Sequence, residues 1–196
     1  MRRPEITVQI MAGGRSSRMG QDKALVRLAG CTLLERAVGT WSGWGGALFV
    51  SVGGAERTGL APAGTRPICD QYLQCGPLGG LQAGLTLCRT PLLLLCAVDT
   101  PLLGPDLAEG LTDALGDADA CVYTLDGRPQ PLFGLYRMTC LPAVNEMLRT
   151  GAHRMTELLT RVETRALPAP APACFRNLNT PEDVRELEKE IYNIIE

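Results

Sequence analysis

Short apolar runs alternate along the chain with longer stretches at helical spacing, the pattern of a mostly parallel sheet covered by helices. Residues 6–11 (Ile-Thr-Val-Gln-Ile-Met) read as a first strand that ends at Ala12-Gly13-Gly14. A helix is expected from Thr32 to Trp41, because Leu33, Leu34, Ala37 and Val38 share one face. Residues 47–52 form a second strand, stopped by Gly53-Gly54, and residues 66–69 a short one near an edge, where Pro67 is tolerated. The run 92–98 is apolar almost throughout, so both faces of that strand should be buried at the sheet centre. Its flanks, Thr90-Pro91 and Asp99-Thr100-Pro101, favour strand over helix.

Further helices are expected over 106–115, 141–148 and 155–162, and strands over 120–123 and 132–136. Gly76-Pro77-Leu78-Gly79-Gly80-Leu81 predicts a sharp turn into a helix of small residues. The alternating prolines of 167–173 predict a stiff, extended surface connector. The last helix is the best defined: Thr180 caps it, Pro181 takes its first position, and Glu182 and Asp183 complement its dipole. Val184, Leu187, Ile191 and Ile194 then recur on one face.

Composition narrows the class. The 196 residues suit one domain, 1–196, and show no internal repeat; 45% hydrophobic with 20% charged residues argues against disorder. A net charge of 19 − 21 = −2 without a basic block argues against coating of nucleic acid or an anionic membrane. The apolar run after Arg2-Arg3 is broken by Thr7 and Gln9, a poor secretory signal, and no stretch approaches the ~20 residues of a spanning helix. A cytoplasmic protein is expected. Eight cysteines form no CxxC pair, and His153 is the single histidine, which excludes a site of two cysteines and two histidines. The thiols read as reduced core residues, His153 as a surface residue, and Trp41 and Trp44 as core or subunit-contact residues.

The densest chemistry lies in Met11-Ala12-Gly13-Gly14-Arg15-Ser16-Ser17-Arg18-Met19-Gly20-Gln21-Asp22-Lys23. It leaves the first strand at its carboxyl end, where open α/β sheets bind ligands. Gly13 and Gly14 let backbone N–H groups approach a phosphate or base, and Arg15, Arg18 and Lys23 supply cations for a triphosphate. Neither G-x-x-x-x-G-K-[ST] nor G-x-G-x-x-G is present, so a Gly-rich turn with solvated basic side chains stays open as an alternative. Asp99, directly after the central strand, is placed either to hold Mg2+ with phosphate oxygens or to form an Asx turn before Pro101. Asp70 similarly follows the third strand, where spacing alone favours a structural role.

That motif resembles the [LM]-A-G-G-x-S-x-R-M-G-x-D-K signature of MobA-like nucleotidyltransferases, the molybdenum cofactor guanylyltransferases. Asp70, Gly76-Pro77-Leu78, Asp99-Thr100-Pro101, residues 130–136 and Asn177-Leu178-Asn179-Thr180-Pro181-Glu182 match in order, from about Ile6 to Leu187. The resemblance implies a three-layer α/β/α Rossmann-like domain, with a nucleotide-binding half at about 1–104 and an acceptor-binding half at about 105–196. It implies transfer of GMP from GTP to the terminal phosphate of Mo-molybdopterin, with release of pyrophosphate; because phosphoryl-type transfer runs on positioning and charge stabilisation, no covalent enzyme intermediate is expected. Met11, Ala12 and Gly13 would contact guanine, Lys23 the phosphates and Asp70 the nucleoside; Asp99 would bind Mg2+, and Asn177 and Asn179 would line the pterin side. With these, Gly14, Arg15 and Ser51 complete the expected nucleotide site, Ser51 standing where the family often has Asn. Arg18, Lys23 and Asp99 are the expected catalytic residues. Molybdoenzymes or cofactor-delivery proteins are the expected partners. The rivals are a nucleotidyltransferase using CTP on molybdopterin or an NTP on a sugar phosphate, and a non-catalytic nucleotide-binding or cofactor-delivery module.

Overall fold

The computed structural model describes residues 2–13 and 21–195, with the backbone alone for 194 and 195. Nine strands are described: β1 (Arg3–Met11), β2 (Arg27–Leu28), β3 (Cys31–Thr32), β4 (Gly45–Gly53), β5 (Arg66–Cys69), β6 (Leu92–Ala97), β7 (Ala120–Leu125), β8 (Arg128–Arg137) and β9 (Thr164–Pro168). The helices are α1 (Leu33–Trp41), α2 (Pro77–Leu87), α3 (Pro105–Leu115), α4 (Leu141–Thr150), α5 (Met155–Arg161) and α6 (Pro181–Ile195). Seven strands make one sheet in the order β5-β4-β1-β6-β8-β7-β9, while β2 and β3 form a separate hairpin. Every neighbouring pair in the sheet is parallel except the two made by β8.

The position of β6 follows from its composition. It is the fourth of seven strands, and its apolar run divides by alternation between two cores. Leu92, Leu94 and Cys96 face the α1, α3 and α6 side with Ile6, Val8 and Ile10 of β1. Leu93 and Leu95 face the α2, α4 and α5 side with Leu81, Val144 and Leu158. A strand with no polar side would be unstable anywhere but the middle of such a sandwich. β5 lies at one edge, as Pro67 requires.

α2 is buried on nearly every side, from Leu78 to Leu85. Its glycines permit that approach to the sheet: a Cβ on Gly84 would stand 1.7 Å from Gln9 Oε1, and one on Gly80 would stand 2.3 Å from Met11 Cε. Gly76 opens the helix at φ 60°, ψ −152°, a backbone that favours glycine, and Pro77 begins it. Thr32 and Glu35 close a reciprocal cap on α1. At α6, Asp183 N–H donates to Thr180 Oγ1 (3.2 Å), and Thr180 N–H donates to Asp183 Oδ2 (2.7 Å). Val184 and Leu187 are buried beneath that helix, while the Ile194 side chain lies outside the described residues.

Two expectations require correction. Residues 167–173 are not wholly a connector, because Leu167 and Pro168 complete β9, paired with Tyr123 and Thr124. A proline is compatible there, since β9 is the other edge strand and needs partners on one side only. Nor are the eight cysteines uniformly core residues: Cys96, Cys121 and Cys140 are buried, but Cys31 is exposed in the small hairpin. Burial pushes the Cys121 thiol up to about 11 and, with Asp119 nearby, that of Cys140 up to about 12. Trp41 and Trp44 pack edge to face inside the core, 5.4 Å between ring centroids.

Candidate active site

The parallel strands deliver their carboxyl ends to one edge of the sheet, and main-chain hydrogen bonds fasten the turns that leave them. Val98 N–H donates to Met11 O (3.1 Å), and Ala12 N–H donates to Ser51 O (2.9 Å). The turn after β1 is therefore held between the ends of β4 and β6. Backbones come close here, as a Cβ on Gly13 would lie 3.1 Å from Gly53 N. A cavity of about 1210 Å³ opens at this edge. Met11, Ala12 and Gly13 line it together with Ser51, Asp70, Asp99, Lys23 and Asn179. It exceeds the ~300–1,000 Å³ of a typical small-molecule site.

One end of the cavity is ionic. Asp22 accepts the Ala24 N–H (3.0 Å) and starts the short 3-10 turn Lys23–Leu25. From that turn Lys23 Nζ donates to Asp99 Oδ2 (2.6 Å) and to Asn179 Oδ1 (2.7 Å). Asn179 is itself held, its N–H donating to Asp183 Oδ2 (2.8 Å), and Leu178 N–H donates to Asp99 O (2.8 Å). The start of α6, the turn after β6 and the chain after the glycine motif thus meet at one ammonium. Asp99 Oδ1 is buried and finds no hydrogen-bond partner among the described residues. A buried carboxylate oxygen left with open lone pairs suits a hard divalent cation. Among the described residues no group of three or more His, Cys, Asp and Glu could hold a metal. Such an ion would have few protein ligands and would complete its shell with substrate oxygens and water, as Mg2+ characteristically does.

The other end holds Asp70, which has no ion pair among the described contacts. Ser51 Oγ donates to Asp70 Oδ1 (3.2 Å), and Asp70 N–H donates to Gly53 O (2.8 Å). Partial burial pushes the Asp70 carboxyl above its ordinary range, and the Ser51 hydroxyl draws it partly back. Ser51 therefore orients Asp70 as well as facing the cavity.

Not every expected residue converges. Asn177 is exposed and lies outside the cavity lining, its amide donating to Phe175 O (3.5 Å). Gly14, Arg15 and Arg18 lie outside the described residues. The structure also adds side chains that spacing does not reveal. Gln71 and Leu73 line the cavity from the turn after β5, and Leu73 is 66% exposed there. Arg57, in the 3-10 turn Ala55–Leu60, reaches across to the stem of the glycine motif.

A cavity at the carboxyl edge of a mostly parallel sheet, built on a glycine turn, a lysine and a carboxylate at adjacent strand ends, defines a nucleotide site of the transferase type. Residues 8–166 match the model of the MobA-like NTP transferase domain, and the chain belongs to that family. A probable molybdenum cofactor guanylyltransferase of Pelotomaculum thermopropionicum is 34% identical over 188 residues, covering 92% of this chain and 90% of that one. The molybdenum cofactor guanylyltransferase of Vibrio cholerae is 31% identical, over 90% and 88% of the two chains. Among solved structures, molybdopterin-guanine dinucleotide biosynthesis protein A from Archaeoglobus fulgidus superposes with a TM-score of 0.83 at 22% identity, covering 95% of this chain and 99% of the other. That likeness shows the nucleotidyltransferase fold.

Proposed function

We propose that this chain transfers GMP from GTP to the terminal phosphate of Mo-molybdopterin and releases pyrophosphate. The observation that carries the reading is the knot of Lys23, Asp99 and Asn179 at the cavity that the glycine turn lines, with Asp99 Oδ1 buried and without a hydrogen-bond partner among the described residues. The guanylyltransferase names of the relatives support the choice of nucleotide and acceptor.

In this reading an oxygen of the acceptor phosphate attacks the α-phosphorus of GTP, and the bond from that phosphorus to the β-bridging oxygen breaks. A phosphate monoester is already anionic near neutral pH, so the step needs charge neutralisation and alignment more than a strong base. Lys23 has three N–H donors and spends two on Asp99 and Asn179, which leaves one for a triphosphate oxygen. Asp99 would hold Mg2+ through Oδ1, and the ion when bound would supply Lewis-acid neutralisation of the phosphates. Met11, Ala12 and Gly13 would receive the base, and Asp70, set by Ser51, would accept a hydrogen bond from the nucleoside. Arg15 and Arg18 would add positive charge. Asn179, beside Lys23, would face the acceptor in the cavity, and Asn177 could meet it only from outside the cavity lining. The nucleotide-side half of the chain, about 1–104, thus meets an acceptor-side half, about 105–196, at Asp99 and Asn179.

No helix among the described residues is long and apolar enough to cross a membrane. The reaction is assigned to the cytoplasm, with molybdoenzymes or delivery proteins receiving the product. A titration with GTP, with and without Mg2+, using CTP and ATP as controls, tests the reading together with pyrophosphate release in the presence of the pterin substrate. Preferential, Mg2+-dependent GTP binding with release of pyrophosphate is expected. Equal or tighter CTP binding would move the assignment to a cytidylyl transfer, and binding without release to a delivery module.

A further inference from the structure

The geometry points to Arg57 as a positioning residue that clamps both stems of the glycine motif; the effect on nucleotide binding, but not the clamp itself, rests on the proposed function. The guanidinium projects from the 3-10 turn after β4 and carries donors in a fixed fork. Nη1 donates to Val52 O (3.1 Å), and Nη2 donates to Ala12 O (3.1 Å) and pairs with Asp22 Oδ2. Ala12 and Asp22 stand on either side of the basic segment 14–20, so a single side chain holds the backbone before it and the Asp22 side chain after it. Asp22 is divided between two tasks. Its Oδ2 meets Arg57, while its Oδ1 accepts the Ala24 N–H that starts the turn carrying Lys23. Both partners of the ion pair are shielded, with side-chain exposures of 19% and 23%, which distinguishes it from the solvent-exposed pairs that contribute little. Nothing in the spacing announces this, since Arg57 lies 35 residues beyond Asp22.

The consequence is a chain of placement from Arg57 through Asp22 to Lys23, and from Arg57 through Ala12 O to the floor of the cavity. Arg57 touches neither the Lys23 ammonium nor Asp99 in any described contact, so it acts through the backbone it holds. A lysine could not replace it, because one ammonium on a flexible stem lacks the fork that spans three acceptors.

Two variants separate the clamp from simple loss of fold. Arg57→Met removes the guanidinium, whereas Asp22→Asn keeps an oxygen for Ala24 N–H but turns an amide towards Arg57. Amide hydrogen exchange on the ligand-free full-length chain should show the Ala24 amide exchanging about tenfold faster or more in Arg57→Met, with β6 and α2 amides unchanged. GTP affinity, measured with the nucleotide itself, should weaken about tenfold in Arg57→Met, less in Asp22→Asn, which keeps the bonds to Val52 O and Ala12 O, and no further in the double variant than in Arg57→Met. Arg57→Lys should rescue neither measurement. Unchanged exchange at Ala24 in Arg57→Met overturns the proposal whether or not GTP binds. So does a double variant whose loss is the product of the single losses. Failure of the unmodified chain to bind GTP would count against the proposed function, while the exchange measurement would still decide the clamp.

Discussion

Two aspartates line the same cavity, each just past the end of a parallel strand, and the fold treats them in opposite ways. Asp99 is met at 2.6 Å by the Lys23 ammonium, itself anchored on Asn179. Asp70 has the Ser51 hydroxyl and no ion pair among the described contacts, and its carboxyl is pushed up by burial. A carboxylate supplied with a cation is prepared for charge, and it can exchange or share that counter-ion when polyanionic phosphates arrive. One supplied only with a hydroxyl is prepared for neutral donors such as a sugar hydroxyl or a base N–H. The contrast gives the cavity an ion-paired carboxylate at one place and an unpaired one at another, which the proposed function reads as the phosphate and nucleoside ends.

The largest test of that division is Asp99→Asn. Pyrophosphate release should fall on the order of 10³-fold, because the charge that would hold the metal is gone, while the fold remains. The melting temperature should fall by less than in Lys23→Met, because the amide keeps an oxygen for the Lys23 ammonium. Turnover that stays within a few-fold would remove Asp99 from the ionic role. Lys23→Met comes next, and slows transfer about 100-fold by leaving the phosphates without their ammonium. It should also lower Tm, since it strands a largely buried carboxylate without its partner. A Tm that rises in Lys23→Met would erase the distinction between the two ends.

The fold was legible wherever composition left a single physical solution. An apolar run with no polar face had to be central, and β6 is; a four-residue strand with a proline inside it is best tolerated at an edge, and β5 lies there. The reversed direction of β8 was not legible, because alternation reports which faces are buried and is silent on strand polarity. At the site, the glycine motif and Asp99 could be placed together, since both leave strand ends and β1 and β6 are neighbours. The Lys23–Asn179 hydrogen bond spans 156 residues and belongs to tertiary packing alone. Arg57 was missed for the same reason. Its 3-10 turn carries no motif, and its three acceptors include two main-chain carbonyls that no side-chain pattern encodes.

Asp70→Asn sharpens the comparison from the unpaired carboxylate. An amide keeps an acceptor beside the nucleoside but loses the charge, so GTP affinity should weaken only about tenfold, roughly 1.4 kcal/mol, in a direct titration. An effect as large as that of Asp99→Asn would mean that both ends handle charge. The stability effect should have the opposite sign from that of Lys23→Met. Unfolding releases Asp70 from burial, so its carboxyl is the weaker acid in the folded chain.

Between the ordinary carboxylate value of 3.8 and the raised folded value, the native state holds a proton that the unfolded state has lost. Stability from this group is therefore greatest at low pH and declines as pH rises through that window. Above the window the charged form bears its full desolvation cost. Asp70→Asn carries no titrating group, so at pH 7 it should melt about one to two degrees above the unmodified chain, a small shift because the carboxyl is only partly shielded from water. Other carboxylates act alike in both chains and cancel in the difference. Melting curves of the two from pH 4 to 8 should show the advantage of the variant growing with pH and flattening once Asp70 is ionised in both states. A difference that is constant across the range would place Asp70 in an environment no different from water, and a variant that melts lower at pH 7 than at pH 4, relative to its parent, would show that Asp70 has a cationic partner after all.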